Sequence, residues 1–182
     1  MQSFLDLVRR RYSLRSYSAK PVERDKIERC LEAGRMAPSA CNSQPWHFVA
    51  VDEAEQVHRI AEACLLPGSK LNSFTASVPA FIAVVAEKPK LSAALGSLVK
   101  NKALYLLDLG MAAEHICLQA AEEGLGSCML GWFNEKKIRR ILQIPRSRRI
   151  PLLISLGYAP EDAKTPEKRR KSSAETISWN RY

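Results

Sequence analysis

The sequence predicts a mixed α+β or α/β layer fold around a sheet of four or five strands, and three observations carry that reading. Short apolar runs recur at HFVAV, PAFIAVVAE, SCMLGWF and IPLLISLGY, with β-branched residues inside PAFIAVVAE. Segments of helical period alternate with them, in the order α-α-β-α-β-α-β-α-β. One helical segment, residues 102–123, is apolar nearly all round. Such a helix is either buried deep or shared with a partner chain.

Each element has its own local signal. Residues 2–11 predict a short helix with Phe4, Leu5 and Val8 on one side and Arg9 to Arg11 at its end, where cations suit the helix dipole. RYSLRSYSAKPV follows as an extended stretch. Residues 23–36 predict an amphipathic helix, with Ile27, Leu31 and Met36 near helical spacing, ended by Pro38. HFVAV is a strand, EAEQVHRIAEAC a helix, and PAFIAVVAE the clearest strand of the chain. KPKLSAALGSLVKN leads to the long helix, where Leu104, Leu107, Met111, His115 and Leu118 repeat at three and four. Leu106, Leu109, Ile116 and Ala120 add apolar surface on its other sides. SCMLGWF, NEKKIRRILQI and IPLLISLGY predict strand, helix and strand. The polar tail shows no core pattern until ETISW, which offers a last strand.

A length of 182 residues favours one domain. No apolar run approaches the roughly 20 residues that span a bilayer. In MQSFLDLVRRR the charges follow the apolar residues, the wrong order for a secretory signal, so the expected location is the cytoplasm. Cys30, Cys41, Cys64, Cys117 and Cys128 are scattered, without a CxxC pair or a histidine at ligand spacing. Neither a disulfide framework nor a metal site is expected. The net charge of +9 gathers at residues 9–15, 136–149 and 164–171. Nucleic acid, a phosphorylated ligand and a solvated basic face are the readings it leaves open.

The chemical signals are polar rather than catalytic. GLGSCMLG ends a helix and opens a strand, the reverse of a dinucleotide fingerprint. Gly124 and Gly126 therefore read as cap and turn residues, whereas Gly131, inside the predicted strand, reads as a bulge or a close approach. His115 reads as a core histidine, His58 as a surface residue, and His47 is undecided. No cluster of carboxylates suits acid–base catalysis, so an enzyme of this sequence would lean on a cofactor. Arg11, Ser13 and Arg15 alternate on an extended chain and share one face. They can grip a phosphate by charge-assisted hydrogen bonds, or simply face water. In APSACNSQPWHF, Pro38 and Pro45 stiffen a loop that carries Asn42 and Gln44. Those amides suit the edge of a heterocycle, or cap an ordinary polar turn. Trp46 would anchor the loop in the core.

Taken together, RYSLR, PSACNSQPWHF, EEGLGSCMLGWFN, IPLLISLGY and KRRKSSAETISW resemble, in this order, the nitroreductase family of FMN-dependent oxidoreductases. The likeness spans nearly the whole chain. It implies an α+β sandwich, a central mixed sheet of four to five strands flanked by helices, that dimerises through the long helix. It implies residues 1–163 as the FMN-binding domain and 164–182 as an arm reaching onto the partner subunit. Arg11, Ser13 and Arg15 would hold the FMN phosphate and ribityl chain, completed by Lys168 and Arg170. Pro38, Ser39, Ala40, Asn42 and Gln44 would contribute to the flavin site, partly from the opposite subunit. Leu130 and Gly131 would pass near the ring, and Asn72 is a fainter match there. NADH or NADPH would be the co-substrate and a small molecule such as a nitroaromatic or quinone the acceptor. No side chain is then needed as a catalytic residue, because the flavin carries the chemistry.

Two departures bear on the substrate. KPKLSAALGSLVKN is short where larger members carry a covering helical excursion, and no Glu stands beside Leu130 and Gly131. Preference for NADH or NADPH stays open. Other readings keep the fold with reductive dehalogenation or flavin breakdown, or make the chain a flavin-storage or nucleic-acid-binding protein. The last lacks the interleaved aromatics of single-strand binders, and no nucleic-acid or membrane partner is expected.

Overall fold

The computed structural model describes residues 3–88 and 103–182. The connection KPKLSAALGSLVKN, apart from Lys88, lies outside the described residues. Ser3 opens helix α1 (Phe4–Arg10) with a capping box, its hydroxyl accepting from the Asp6 amide while Asp6 accepts from the Ser3 amide. α2 (Arg24–Arg35) buries Ile27, Cys30 and Gly34, but Met36, expected on that stripe, is exposed just beyond the helix end. Strand β1 (Trp46–Val51) leads to α3 (Ala54–Cys64), capped by the Glu53 carboxylate on the amides of Glu55 and Gln56. A 3-10 turn (Ser73–Ser77) precedes β2 (Ala80–Ala86). Then come α4 (Leu104–Glu122), β3 (Gly126–Leu130), α5 (Glu135–Ile141), β4 (Arg149–Gly157) and the single turn α6 (Ser173–Thr176).

The strands form one sheet in the order β1-β2-β4-β3, every adjacent pair antiparallel. Its parallel contribution is one bridge, from Ser13 in the extended N-terminal stretch to Ser127. Helices cover both faces. Ile82, Val84, Ile154 and Leu156 pack with α2 and α4 on one face, through Ile27, Leu109 and Ile116. Phe81, Ala83 and Leu153 pack on the other with α3 and α5, through Ile60 and Ile138, and with Leu14 and Tyr17. Alternate residues of β2 thus bury on opposite faces, which is why its sequence is an unbroken apolar run.

The long helix divides its apolar residues in two. Leu109, Ala112, Ala113, Ile116, Cys117 and Ala120 face the core. Small residues there let α2 come close: a Cβ at Gly34 would stand 2.6 Å from Ile116. Leu106, Leu107 and Met111 on the other side are exposed in the single chain. His115 is half-buried, its Nδ1 3.2 Å from the Ala33 carbonyl, joining α4 to α2 as a satisfied histidine.

The expected strand at ETISW is not formed within the chain. Ser172 and Glu175 make a reciprocal capping box, which winds Ser173–Thr176 into a helical turn instead. Ile177 and Trp179 are exposed beyond it. Among the described residues, no helix is long and apolar enough to cross a membrane.

Candidate functional site

The Arg11–Arg15 stretch is held on the sheet by its alternate residues. Leu14 is buried, and its amide donates to the Ser127 carbonyl at 3.0 Å. Tyr17, also buried, donates its hydroxyl hydrogen to the Leu14 carbonyl (3.1 Å) or shares it with Ser155 Oγ (2.8 Å). Gly126 makes room: a Cβ there would lie 2.2 Å from Leu14 Cδ2. With Leu14 fixed inward, Ser13 and Arg15 are exposed. Arg11 lies half-buried with Nε 3.4 Å from the Glu114 carboxylate. All three reach towards Cys128. Burial pushes that thiol up, opposed by the Arg15 charge, the Ser13 hydroxyl and the Arg11 charge.

The tail brings more positive charge to the same place. The Lys168 ammonium donates to the Val8 carbonyl at the end of α1. Its pKa is lowered, first by burial and then by the Arg11 and Arg170 charges, with Glu114 only partly offsetting them. Lys168 thus feels the repulsion of two further cations, which an added anion would relieve. Beside them a 250 Å³ cleft is lined by Arg10, Arg11, Tyr12, Gly126, Ser127 and Thr165, among others.

The loop between α2 and β1 is a tight knot of left-handed residues. A 3-10 turn (Ala40–Asn42) is followed by Ser43 and Gln44, and Cys41, Asn42 and Gln44 have φ of 52°, 49° and 47°. Asn42 donates to the Ser39 carbonyl, Ser43 to the Ala40 carbonyl, and the Gln44 amide to Ser39 Oγ at 2.9 Å. Gln44 Nε2 donates to Asn42 Oδ1 at 3.0 Å, so the two amide side chains form a pair on the exposed side. Among the described residues the Asn42 amide hydrogens and Gln44 Oε1 have no further partner, and both side chains are exposed. Pro45 and Trp46 are buried at the far end, with Trp46 stacked on Phe48 at 6.3 Å between centroids, as the anchor expected of it.

Leu130 and Gly131 lie together, but not as expected. Ladder pairing stops at Leu130, opposite Leu153, so Gly131 stands outside the strand. A Cβ built on it meets no described atom within 4 Å, whereas at Gly126 it collides. A close approach by the protein's own atoms is found at Gly126, which is a strand residue and not a turn, while the space beside Gly131 leaves room for a ligand. Gly124, at φ +76°, is the cap residue expected. Asn72 Nδ2 donates to the carbonyls of Trp132 (2.7 Å) and Cys64 (3.3 Å), pinning the segment after Gly131.

The sequence of most of the chain matches one family. The family model described as "Nitroreductase family" matches residues 8–158. The chain belongs to the nitroreductase family. It is 34% identical over 168 residues to an Archaeoglobus fulgidus protein named "Putative NADH dehydrogenase/NAD(P)H nitroreductase", covering 90% of this chain and 89% of that one. Among solved structures it superposes on a nitroreductase family protein from Clostridium novyi NT with a TM-score of 0.77 at 31% identity, covering 92% of this chain and 89% of the other. An FMN-dependent nitroreductase from Clostridium difficile R20291 gives a TM-score of 0.79 at 25% identity, covering 98% and 100%.

Within this nitroreductase fold Leu130 and Gly131 lie at the end of β3, while the basic stretch and the loop are each fastened to α4. Arg11 meets α4 at Glu114, and the Ala40 amide meets it at Asp108 Oδ1, 3.1 Å away. Six residues separate these anchors, about 9 Å along the axis and about 120° around it. The basic group and the loop are thus brought to one helix, but to different sides of it. Glu114 and Asp108 were missed by sequence reasoning. Asp108 did leave a signal, a lone carboxylate inside the apolar stretch LYLLDLGMAA.

Proposed function

We propose that the protein is an FMN-dependent NAD(P)H oxidoreductase that passes reducing equivalents to a small organic acceptor such as a nitroaromatic or quinone. The observation that carries this reading is that Lys168 lies within electrostatic reach of Arg11 and Arg170, with Arg11 paired to Glu114 and Ser13 and Arg15 on the same stretch as Arg11. A phosphate monoester is the anion these groups fit, two guanidinium forks and an ammonium matching its oxygens. Asn42 and Gln44 supply the complementary half, an outward donor and acceptor for a ring with mixed hydrogen-bonding edges. Bound FMN supplies the electron chemistry, accepting a hydride from NADH or NADPH and returning two electrons to the acceptor.

The chain's own residues then have distinct tasks. Arg11, Ser13, Arg15, Lys168 and Arg170 bind and orient the phosphate end. Pro38, Ser39 and Ala40 shape the loop, and Asn42 and Gln44 address the ring. Ser39 Oγ already accepts from Gln44, and both Ala40 backbone groups are engaged within the protein, so these two serve mainly as scaffold. Gly131, with open space at its Cβ, would let the ring approach the backbone beside the buried Leu130.

We further propose that the working form is a homodimer with FMN at the interface, residues 164–182 reaching onto the partner, in the cytoplasm. The uncovered apolar side of α4 at Leu106, Leu107 and Met111, with Phe4 and Leu5 on α1, supports this. So does the placement of the two site halves on different sides of α4, which suits completion of each site by a second copy. The absorbance spectrum of the purified protein tests the reading. A yellow protein, or one that takes up added FMN and is bleached by NADH or NADPH without oxygen, is expected. A colourless protein that takes up no FMN would refute it.

A further inference from the structure

Asp108 is 4% exposed and sits on the core side of α4, among Leu109, Ala112 and Ala113. A helix gains nothing from an interior aspartate, and a buried carboxylate is costly unless hydrogen bonds satisfy it. Its Oδ1 accepts from the Ala40 amide, on the first residue of the turn that holds Cys41, Asn42 and Gln44 at positive φ. None of these three is a glycine, so the loop is held in a conformation that its residues do not favour by themselves. The hydrogen bonds from Asn42 to Ser39, Ser43 to Ala40 and Gln44 to Ser39 are all internal to the loop. The bond to Asp108 instead ties the middle of the loop to a helix packed in the core.

We propose that Asp108 is a positioning residue for the flavin-ring half of the site: it clamps the Ala40 amide and so keeps the Asn42–Gln44 pair presented. This rests on the FMN reading above, and it assigns the carboxylate to the ring half alone. The phosphate half is fixed separately, through Leu14, Ser127 and Glu114.

Comparing FMN with riboflavin, which lacks the phosphate, tests this. Apoprotein is titrated with each by flavin fluorescence, for the wild type and for Asp108→Ala, Asp108→Asn, Ala40→Pro and Arg15→Ala. Ala40→Pro removes the same hydrogen bond from the loop side. Ser39 has φ −149° and ψ 154°, which tolerates a following proline, and the first residue of such a turn suits one. Asp108→Ala and Ala40→Pro should each weaken FMN and riboflavin by a common factor of about ten, while Asp108→Asn, which keeps an acceptor, restores most of the affinity. Arg15→Ala should weaken FMN by a distinctly larger factor than riboflavin, which lacks the phosphate.

A folded Asp108→Ala or Ala40→Pro protein that binds both flavins as the wild type does would overturn the inference. So would a loss confined to FMN, because it would place the effect at the phosphate. If Asp108→Ala does not fold, Ala40→Pro decides, since it changes a loop rather than the core. Wild-type protein that binds neither flavin would overturn the cofactor reading first, and this inference with it.

Discussion

Gly126→Ala puts a methyl group where Leu14 already stands. The added carbon would lie 2.2 Å from Leu14 Cδ2, 2.8 Å from its Cβ and 3.0 Å from its Cγ. Carbon atoms rest at about 3.5–4.0 Å, so Leu14 must retreat by more than about 1 Å. It has little freedom to do so. Its side chain is buried, its amide is bonded to Ser127 and its carbonyl is a partner of the Tyr17 hydroxyl. Overpacking at such a site costs about 1–3 kcal/mol. The displaced residue lies between Ser13 and Arg15, so the same strain should reach the phosphate grip. Urea denaturation should show a lower midpoint for Gly126→Ala, and FMN should bind more weakly. Gly131→Ala, with open space at its Cβ, should leave stability within about 0.5 kcal/mol of the wild type. A second test is internal: Leu14→Ala opens a cavity that Gly126→Ala would partly fill, so the double variant should lose less stability than the two single losses added. Equal midpoints for Gly126→Ala and wild type, or strict additivity in the double variant, would refute the reasoning.

Other expectations follow from the same geometry. Arg15→Ala and Arg170→Ala should each raise the FMN Kd about tenfold or more, with the difference shrinking in high salt; titration of apoprotein at two salt concentrations checks this. Leu107→Asp places a charge on the uncovered side of α4 and should shift sedimentation from dimer to monomer, with loss of bound FMN. Acid should destabilise the fold through Glu23, whose carboxyl is held down to about 2 from 4.5, chiefly by the Tyr158 hydroxyl. A lowered folded value means that this contribution is present above pH 4.5 and is lost as pH falls towards 2. Melting curves should decline over that window, and less steeply for Tyr158→Phe.

How much of this was legible in the sequence depends on how local the cause was. The strands and helices were, because periodicity and caps act within a few residues. β2 was read from its run of β-branched residues, and the long helix from apolar positions that repeat at three and four. ETISW misled because its β-forming residues follow a Ser-x-x-Glu capping box, and the local cap won. Met36 was placed on the buried stripe by spacing alone, but the helix ends at Arg35 and releases it to solvent. Arg11 and Arg15 were singled out by their alternation, and Lys168 and Arg170 by the resemblance of the tail. What brings Lys168 beside Arg11 is a contact across 160 residues, from the tail to the Val8 carbonyl, and no window of sequence contains that.

The glycines show why the site's supports were harder to read than its ligating groups. Gly126 and Gly131 stand five residues apart in one motif, and the sequence offers the same symbol for each. Gly126 was assigned to a turn and Gly131 to a strand interior approached by ligand or backbone; Gly126 is instead the strand residue with a neighbour pressed against it, and Gly131 lies just beyond the strand with space at its Cβ. The difference lies in what stands opposite: Leu14 against Gly126, open space beside Gly131. Asp108 has the same character. Its charge was visible inside an apolar helix, but its meaning lies in the Ala40 amide across the fold. Groups that address a ligand must be polar and outward, so they leave a mark in composition. Groups that hold them in place are recognisable only through their partners. A search for positioning residues should therefore begin with buried polar atoms and with glycines whose Cβ would collide.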